Sequence, residues 1–209
     1  MTRRLRIAIL ASGGGSNLQA LIDACRNDAP AEIALVLTNG EVGATRRARE
    51  AGLAIALIDD PDDAGALLAA LSAAEVELVV LAGYVRLVPA DVVAAYAGRM
   101  INIHPALLPS FGGKGMYGLH VHRAVLAAGC TVTGPTVHLV TADYDRGPVL
   151  AQWPVPVAPG DTPETLRERV LVAEHQLLPA VVLAAARRGR PVRLVPREGT
   201  FGDVALEEA

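Results

Sequence analysis

Apolar residues occur in short, uninterrupted runs along the first half of the chain, and segments with a helical repeat separate them. The runs predict five strands, at Arg6–Leu10, Ile33–Leu37, Ile55–Ile58, Leu78–Leu81 and Met100–Ile103. Runs without polar alternation are typical of strands that are covered on both faces, as in a parallel sheet. Between them, residues 18–25, 44–51 and 64–74 are predicted to form helices. The alternation predicts a doubly wound, mostly parallel, Rossmann-like α/β sheet.

The second half of the chain carries a different pattern. Residues 132–140 and 148–157 are predicted to be extended and to pair as an antiparallel hairpin at the sheet edge. Asp161 to Glu164 combine a capping residue, a proline and an early acid, which predicts the start of a long C-terminal helix that ends near Gly189. Pro179 is expected to kink or divide that helix. Residues 1–195 are predicted to form one domain, and residues 196–209 a loosely held tail.

Composition narrows the class of protein. The 209 residues are 52% hydrophobic, which is ample for a continuous core, and the net charge of −3 with scattered basic residues argues against a nucleic-acid partner. No apolar run reaches the roughly 18 residues that span a bilayer, so no membrane partner is expected. Cys25 and Cys130 lack the spacing of a zinc site or a disulfide framework, which is typical of a cytoplasmic protein.

A glycine loop, Ser12–Asn17, lies directly between the first predicted strand and the first predicted helix. Glycines let backbone N–H groups approach an anion, and the helix N-terminus favours negative charge, so the loop predicts a phosphate site. Ser16 and Gln19 are expected to form a capping box. The loop lacks the last glycine of a dinucleotide fingerprint and the lysine of a P-loop, which disfavours NAD and ATP. A tight turn without a ligand is the alternative.

Two polar residues, Asn102 and His104, interrupt an otherwise apolar strand and share one face of it. They are expected to point into a pocket beyond the strand ends, close to the glycine loop. His104 can titrate near neutral pH, and the Asn102 amide can donate to a developing oxyanion. Asp145, at a predicted tight turn, is the candidate to orient the imidazole. The alternative is that Asn102 and His104 only satisfy backbone groups of nearby loops.

The histidines raise the question of a metal site. His120 and His122 are two residues apart, but residues 120–128 are predicted to be helical, and side chains at i and i+2 diverge on a helix. The acid and cysteine spacing of metal sites is also missing. No metal is therefore expected.

Several ordered segments together carry a recognisable set of motifs. They are Ser12–Gln19, Leu81–Leu87, Asn102–Pro109, Gly134–Val140, Asp145–Pro148 and Glu174–His175. In these segments the chain resembles the phosphoribosylglycinamide formyltransferases, the folate-dependent enzymes of purine synthesis, over nearly its whole length. The resemblance implies transfer of a formyl group from the co-substrate 10-formyltetrahydrofolate to the amine of N1-(5-phospho-D-ribosyl)glycinamide, without a metal.

The resemblance also implies residue roles, which match position by position. Its catalytic trio is Asn102, His104 and Asp145. The substrate-binding residues that it implies are Gly15, Ser16 and Asn17 for the phosphate and Glu174 for the other end of the ribonucleotide. The folate groove that it implies is bordered by Val85, Arg86, Leu87, Val88, Thr141, Ala142, Asp143 and Tyr144. Small molecules are the expected partners, and the chain is expected to be a monomer or a homodimer.

The chain departs from the family's pattern in places. Residues 110–118 form a longer segment than the family usually carries after its Leu-Leu-Pro motif, Pro135 stands where a small polar residue is common, and no arginine occurs between Asp59 and Gly65. A 10-formyltetrahydrofolate hydrolase and a non-catalytic nucleotide-binding module are the alternative functions. A pure binder has no chemical need for the Asn-His-Asp trio, which favours a catalyst.

Overall fold

The structure, a computed structural model, describes residues 3–196 and 206–208 of the chain. Its strands are β1 (Leu5–Ala11), β2 (Ala31–Thr38), β3 (Ile55–Leu57), β4 (Leu78–Leu81), β5 (Met100–His104), β6 (Val132–Thr133), β7 (Thr136–Leu139), β8 (Val149–Gln152), β9 (Val155–Pro156), β10 (Leu194–Pro196) and β11 (Leu206–Glu208). Its helices are α1 (Ser16–Ala24), α2 (Gly43–Glu50), α3 (Ala64–Ala73), α4 (Ala90–Ala95), α5 (Leu119–Ala127) and α6 (Pro163–Arg188). The short helix α4 was not predicted from the sequence.

The central sheet has the strand order β3-β2-β1-β4-β5-β7-β8. Strands β1 to β5 are parallel, whereas β7 and β8 run antiparallel to their neighbours. This confirms the predicted doubly wound, mostly parallel sheet with an antiparallel pair. The chain winds outward from β1 to β3 and then returns to β4 on the other side of β1. Open α/β sheets bind ligands beyond the carboxyl ends of their strands at such a reversal, which here lies between β1 and β4.

Alternate residues of the parallel strands face helices on opposite sides of the sheet. In β1, Ile7 and Ile9 pack in the core that includes α1 and α6, whereas Ala8 and Leu10 pack in the core that includes α3. Both faces are therefore buried, which is why the strands are continuously apolar.

Strand β5 ends with polar side chains on one of its faces. Ile101 and Ile103 enter the same core as Ile7, so the period of two places Asn102 and His104 on the opposite face. Both side chains line a cavity at the carboxyl end of β5. Asn102 and His104 therefore face the same cavity, as the sequence predicted.

The predicted hairpin of residues 132–157 forms along its length, with one interruption. Strands β7 and β8 pair antiparallel at the sheet edge, as expected, but β6 and β9 form a separate two-stranded sheet. The chain bends between β6 and β7 at Gly134 and Pro135. Gly134 has φ 138°, and a Cβ there would collide with the backbone carbonyl of Trp153. The two predicted extended segments therefore pair as expected, and the bend divides each of them into two short strands.

Helix α6 begins and ends as its sequence predicted. Thr162 is its N-cap and accepts from the Thr165 amide at 3.3 Å, Pro163 occupies the first turn, and Gly189 closes it with φ 70°. The helix runs unbroken through Pro179, so the expected division does not occur. By length and composition it could cross a membrane, but 56% of its apolar window is buried inside the protein. Packing against the sheet, α1 and α5 accounts for those apolar residues.

The C-terminal residues after α6 are described only in part. Strands β10 and β11 pair antiparallel, with Leu194 opposite Glu208. Residues 197–205 and 209 of the predicted tail lie outside the described residues. The predicted division into a domain of residues 1–195 and a tail stays a prediction.

Candidate active site

A cavity of about 620 Å³ opens beyond the carboxyl ends of β1, β4 and β5. One wall is the glycine loop, and another is the segment after β4. The remaining walls are the end of β5, the loop before α5, the turn after β7 and one face of α6. The cavity therefore lies at the reversal of strand order, where the fold was expected to bind a ligand.

The glycine loop forms the start of α1 in a way that differs from the predicted capping box. Gly15, with φ 74°, is the N-cap, and Ser16 is already the first helical residue, so no side chain caps the helix. A Cβ at Gly15 would lie 2.6 Å from the Ala44 Cα, since the loop packs tightly against α2. The first amides of α1 thus have no side-chain partner in the described structure, which leaves them available to an anion.

Asn17 joins the glycine loop to helix α6. Its Nδ2 donates to Oε2 of Glu174 at 2.6 Å, and Glu174 is 8% exposed. Burial raises the pKa of Glu174 to about 7, although the Asn17 amide and the charge of Arg167 oppose the shift. The sequence predicted both residues as substrate ligands without a link between them, and the structure brings them into direct contact.

The predicted trio of Asn102, His104 and Asp145 meets on the floor of the cavity. His104 Nδ1 lies 3.5 Å from Asp145 Oδ2, and Asn102 Nδ2 lies 3.4 Å from Asp145 Oδ1. Strand β5 supplies the first two residues, and the turn after β7 supplies Asp145 with φ 53°. Segments more than 40 residues apart in the chain therefore place a carboxylate beside an imidazole and an amide.

His138 is a fourth member of this cluster that the sequence interpretation did not include. In the antiparallel register β5 to β7 it stands directly opposite Asn102. Its Nε2 lies 3.0 Å from Asn102 Nδ2 and 3.5 Å from Asp145 Oδ1, and its Nδ1 lies 2.9 Å from the Leu139 carbonyl oxygen. A carbonyl only accepts, so Nδ1 of His138 carries a proton and donates it to the Leu139 carbonyl. Pairing β5 with the predicted hairpin was the signal that could have found it.

The Asn102 amide nitrogen is engaged by the protein on two sides. Its donors face His138 Nε2 at 3.0 Å and Asp145 Oδ1 at 3.4 Å. The contact with Asp145 is long for an N–H···O hydrogen bond and is the weaker of the two. If Asn102 is to donate to an oxyanion, as its sequence position predicts, the oxyanion has to replace this weaker partner.

The segment 110–118 contacts two members of the trio through its backbone. His104 Nε2 lies 2.9 Å from the Phe111 carbonyl oxygen, and the Gly113 amide donates to Asp145 Oδ2 at 2.9 Å. The backbone of Phe111 and Gly113 is therefore part of the site.

The cluster changes the acidity of its own members. Burial lowers the pKa of His104, while Asp145 and the Phe111 carbonyl act to raise it. For Asp145, burial acts to raise the pKa, but the hydrogen bond with His138, the charge of His104 and the Gly113 amide outweigh it and lower the pKa below its ordinary value. Asp145 is therefore a carboxylate at neutral pH, and His104 is a mostly neutral imidazole with a negative charge beside it.

Nearly all the predicted folate-groove residues line the cavity. Its lining includes Val85, Arg86, Leu87, Val88, Thr141, Asp143 and Tyr144. Ala142, the remaining one, is exposed and lies outside the lining. Val85 and Leu87 are 48% and 44% exposed. Large apolar side chains held open to solvent at a cavity mouth are suited to cover a flat apolar ligand.

Three further cavity residues were not singled out as ligands from the sequence. Lys114, in the segment before α5, and Arg167, on α6, are exposed cations that line the cavity. Arg167 shares one face of α6 with Leu171 and Glu174, at positions i, i+4 and i+7, which was a readable signal. His122 is buried, and burial, aided by the charges of Arg167 and His104, lowers its pKa to about 4, so it is a neutral imidazole near the centre.

Comparison with known proteins points in one direction. The formyl transferase family matches residues 5–182. The phosphoribosylglycinamide formyltransferase of Mycobacterium tuberculosis (strain CDC 1551 / Oshkosh) is 45% identical over 94% of this chain and 91% of its own length. The chloroplastic phosphoribosylglycinamide formyltransferase of Arabidopsis thaliana is 42% identical over 86% of this chain. This chain spans 65% of the length of that plant relative.

A solved structure gives the same picture. The crystal structure of phosphoribosylglycinamide formyltransferase from Anaplasma phagocytophilum superimposes with a TM-score of 0.84 at 32% identity. The superposition covers 99% of this chain and 94% of that one.

Proposed function

The chain belongs to the formyl transferase family, and we propose that it transfers the formyl group of 10-formyltetrahydrofolate to the amine of N1-(5-phospho-D-ribosyl)glycinamide. One observation carries the proposal. A carboxylate, an imidazole and an amide from distant segments meet within 3.5 Å at the floor of a cavity that also holds an anion-binding helix start. Acyl transfer needs groups that stabilise an oxyanion and a separate site that binds and positions the rest of the substrate.

The ribonucleotide is proposed to bind through the glycine loop and α6. The amides of Gly15, Ser16 and Asn17 face the phosphate at the start of α1, where the helix dipole favours negative charge. Glu174 accepts from hydroxyl groups of the ribose, and Asn17 keeps the carboxylate aimed, since it donates to it at 2.6 Å. The amine is thereby held beside Asn102 and His104.

The folate is proposed to occupy the groove between the segment after β4 and the turn after β7. The apolar side chains of Val85, Leu87 and Val88 cover its rings. Arg86, a cation at the mouth, faces the carboxylates of the glutamate tail.

In the transfer the amine nitrogen bonds to the formyl carbon, the bond from that carbon to the folate nitrogen breaks, and one proton passes from the amine to the folate nitrogen. His104 donates to the oxygen on which negative charge develops, and Asn102 assists it once its contact with Asp145 is exchanged. Asp145 holds the imidazole in place and favours its charged form. The step needs no covalent bond to the protein.

The decisive experiment mixes the purified protein with 10-formyltetrahydrofolate in the presence and absence of the ribonucleotide. Deformylation of the folate is followed by absorbance, and formylglycinamide ribonucleotide is identified by mass spectrometry. We expect product only when both substrates are present. Deformylation at the same rate without the ribonucleotide would instead establish a hydrolase, and the absence of any turnover would leave a nucleotide-binding module.

We also propose a cytoplasmic location. Both cysteines are free, as is typical of proteins in a reducing compartment. Whether the chain acts as a monomer or as a homodimer is addressed by the molar mass in solution, measured by light scattering.

A further inference from the structure

We propose that the backbone of residues 111–113 positions the reacting pair of the active site; residues 110–118 are named here the 110–118 loop. In this proposal the Phe111 carbonyl fixes the His104 ring, the Gly113 amide fixes the Asp145 carboxylate, and Gly112 makes both contacts possible. These three are positioning residues, because each acts through His104 or Asp145. The proposal rests on the function proposed above and assigns a role to the backbone of this loop.

The first step of the argument is the pair of backbone contacts. His104 Nε2 lies 2.9 Å from the Phe111 carbonyl oxygen, and Gly113 N lies 2.9 Å from Asp145 Oδ2. Asp145 Oδ2 is also the atom that faces His104 Nδ1, at 3.5 Å. The backbone of residues 111–113 therefore contacts both His104 and Asp145, the two side chains of the imidazole–carboxylate pair.

The second step concerns the protons of His104. A carbonyl oxygen can only accept, so Nε2 of His104 carries a proton, and the neutral ring has its lone pair on Nδ1 toward Asp145. When the ring gains its second proton, both of its N–H groups already have acceptors, the Phe111 carbonyl and the Asp145 carboxylate. These two acceptors stabilise the charged form of His104, which burial disfavours.

The third step is steric. A Cβ at Gly112 would lie 2.6 Å from Leu108 Cδ2 and 3.0 Å from Asp145 Cβ. A side chain at Gly112 therefore requires Leu108 to shift and presses on the Cβ of Asp145, so it is expected to displace the loop from Asp145. The loop is anchored on its other side, since Phe111 and Met116 pack against a core cluster formed by α5 and α6.

The Phe111 carbonyl and the formyl oxygen of the substrate compete for the same N–H group of His104. A formyl oxygen that receives the Nε2 proton of His104 has to take the place of the Phe111 carbonyl. Before the substrates bind, that carbonyl holds the ring in the required orientation, so little reorganisation is left for the chemical step. The Gly113 contact with Asp145 needs no exchange and persists in both states.

The test compares Gly112→Ala with Ser110→Ala in the full-length protein. Ser110 is exposed in the same loop, and no side-chain hydrogen bond is recorded for it among the described residues, so its variant controls for a change of similar size. We expect Gly112→Ala to lower kcat on the order of tenfold to a hundredfold, because small displacements of reacting groups have such effects. The KM for the ribonucleotide should change less than about threefold, since its phosphate lies at the glycine loop.

A purely structural role for Gly112 would not move the second readout, the NMR titration of the His104 ring. Loss of the Phe111 acceptor should lower the pKa of His104 in Gly112→Ala relative to the wild type and to Ser110→Ala. Wild-type kcat together with a wild-type titration in Gly112→Ala overturns the proposal. If wild-type transfer itself is absent, the proposed function has failed instead, so the two failures are distinguishable.

A measurement on the wild type covers the case in which Gly112→Ala does not fold. The ring ¹⁵N shifts of His104 in the ligand-free protein should show the Nε2–H tautomer, and an unreactive folate analogue with the ribonucleotide should change the Nε2–H signal. The Nδ1–H tautomer, or a signal that the ligands leave unchanged, contradicts the proposal.

Discussion

The glycine loop and the Asn102–His104–Asp145 cluster share one cavity, yet they are built in different ways. The loop offers backbone amides of a single turn between β1 and α1, and packing against α2 holds it in place. The cluster offers side chains from two distant segments, and hydrogen bonds to His138 and to the 110–118 loop hold it. Backbone sites depend on local shape, whereas side-chain sites depend on what tertiary neighbours supply.

Substitutions in the Asn102–His104–Asp145 cluster should lower kcat strongly and leave the affinity for the ribonucleotide nearly unchanged. His104→Ala should lower kcat by about 10²–10⁴-fold, because the variant loses the proton donor to the formyl oxygen. Binding of the ribonucleotide, measured by calorimetry, should stay within a few-fold. His120→Ala is the matched control, since His120 is an exposed imidazole outside the cavity lining. Near-normal turnover by His104→Ala would place the reacting centre elsewhere.

Glu174, on the substrate-binding side of the cavity, should affect the stability of the fold and the affinity for the ribonucleotide in opposite directions. Burial raises the pKa of Glu174 to about 7 from its ordinary 4.5, so its stabilising contribution is full below about pH 4.5 and is lost as the pH rises to about 7. Gln stays neutral, so Glu174→Gln should gain stability relative to the wild type across this window, by about 3 kcal/mol at pH 8.

Urea unfolding at pH 4.5 and pH 8 measures this difference. The same variant should bind the ribonucleotide more weakly, because ribose hydroxyls lose a charged acceptor. A stability difference that is equal at both pH values would show that Glu174 is ionised in the folded protein well below pH 7.

The shape of the glycine loop should be more sensitive at one glycine than at another. Gly15→Ala places a methyl group 2.6 Å from the Ala44 Cα at a positive φ, and it should destabilise the fold by about 1–3 kcal/mol. Gly13→Ala meets no heavy atom within 4 Å, and its stability should change by no more than about 0.5 kcal/mol. Thermal or urea unfolding of both variants checks this, and equal effects would argue against the close packing of the loop on α2.

The smallest effect is expected from the outer support of the loop. Arg47 donates through Nε to the Gly14 carbonyl at 2.9 Å and through a terminal nitrogen to Gln19 Oε1 at 3.2 Å. Arg47→Ala should weaken ribonucleotide binding by about 1 kcal/mol, roughly fivefold, with kcat unchanged. Arg46→Ala, an exposed change on the same helix, should bind like the wild type. A loss of kcat in Arg47→Ala would mean that loop and cluster are not independent.

The parts of the fold that depend on local sequence were predicted better than those that depend on tertiary contacts. Strands β1 to β5 were recognised because each is a continuous apolar run, and α6 was recognised because its caps at Thr162 and Gly189 are local signals. The errors occurred where local rules lost to tertiary packing. Pro179 does not divide α6 because the helix is buried on both sides of it. Gly134 interrupts a predicted extended segment because the backbone of Trp153 passes there.

The sequence by itself determined the doubly wound sheet, the position of the glycine loop before α1 and the shared face of Asn102 and His104, because each follows from local periodicity and chain direction. Tertiary structure decided how these parts are completed. Only the antiparallel register of β5 and β7 brings His138 to Asn102, only the packing of α6 joins Glu174 to Asn17, and only the fold of the 110–118 loop brings its backbone to His104 and Asp145. Such contacts join residues that are distant along the chain, and no local pattern encodes the distance between them.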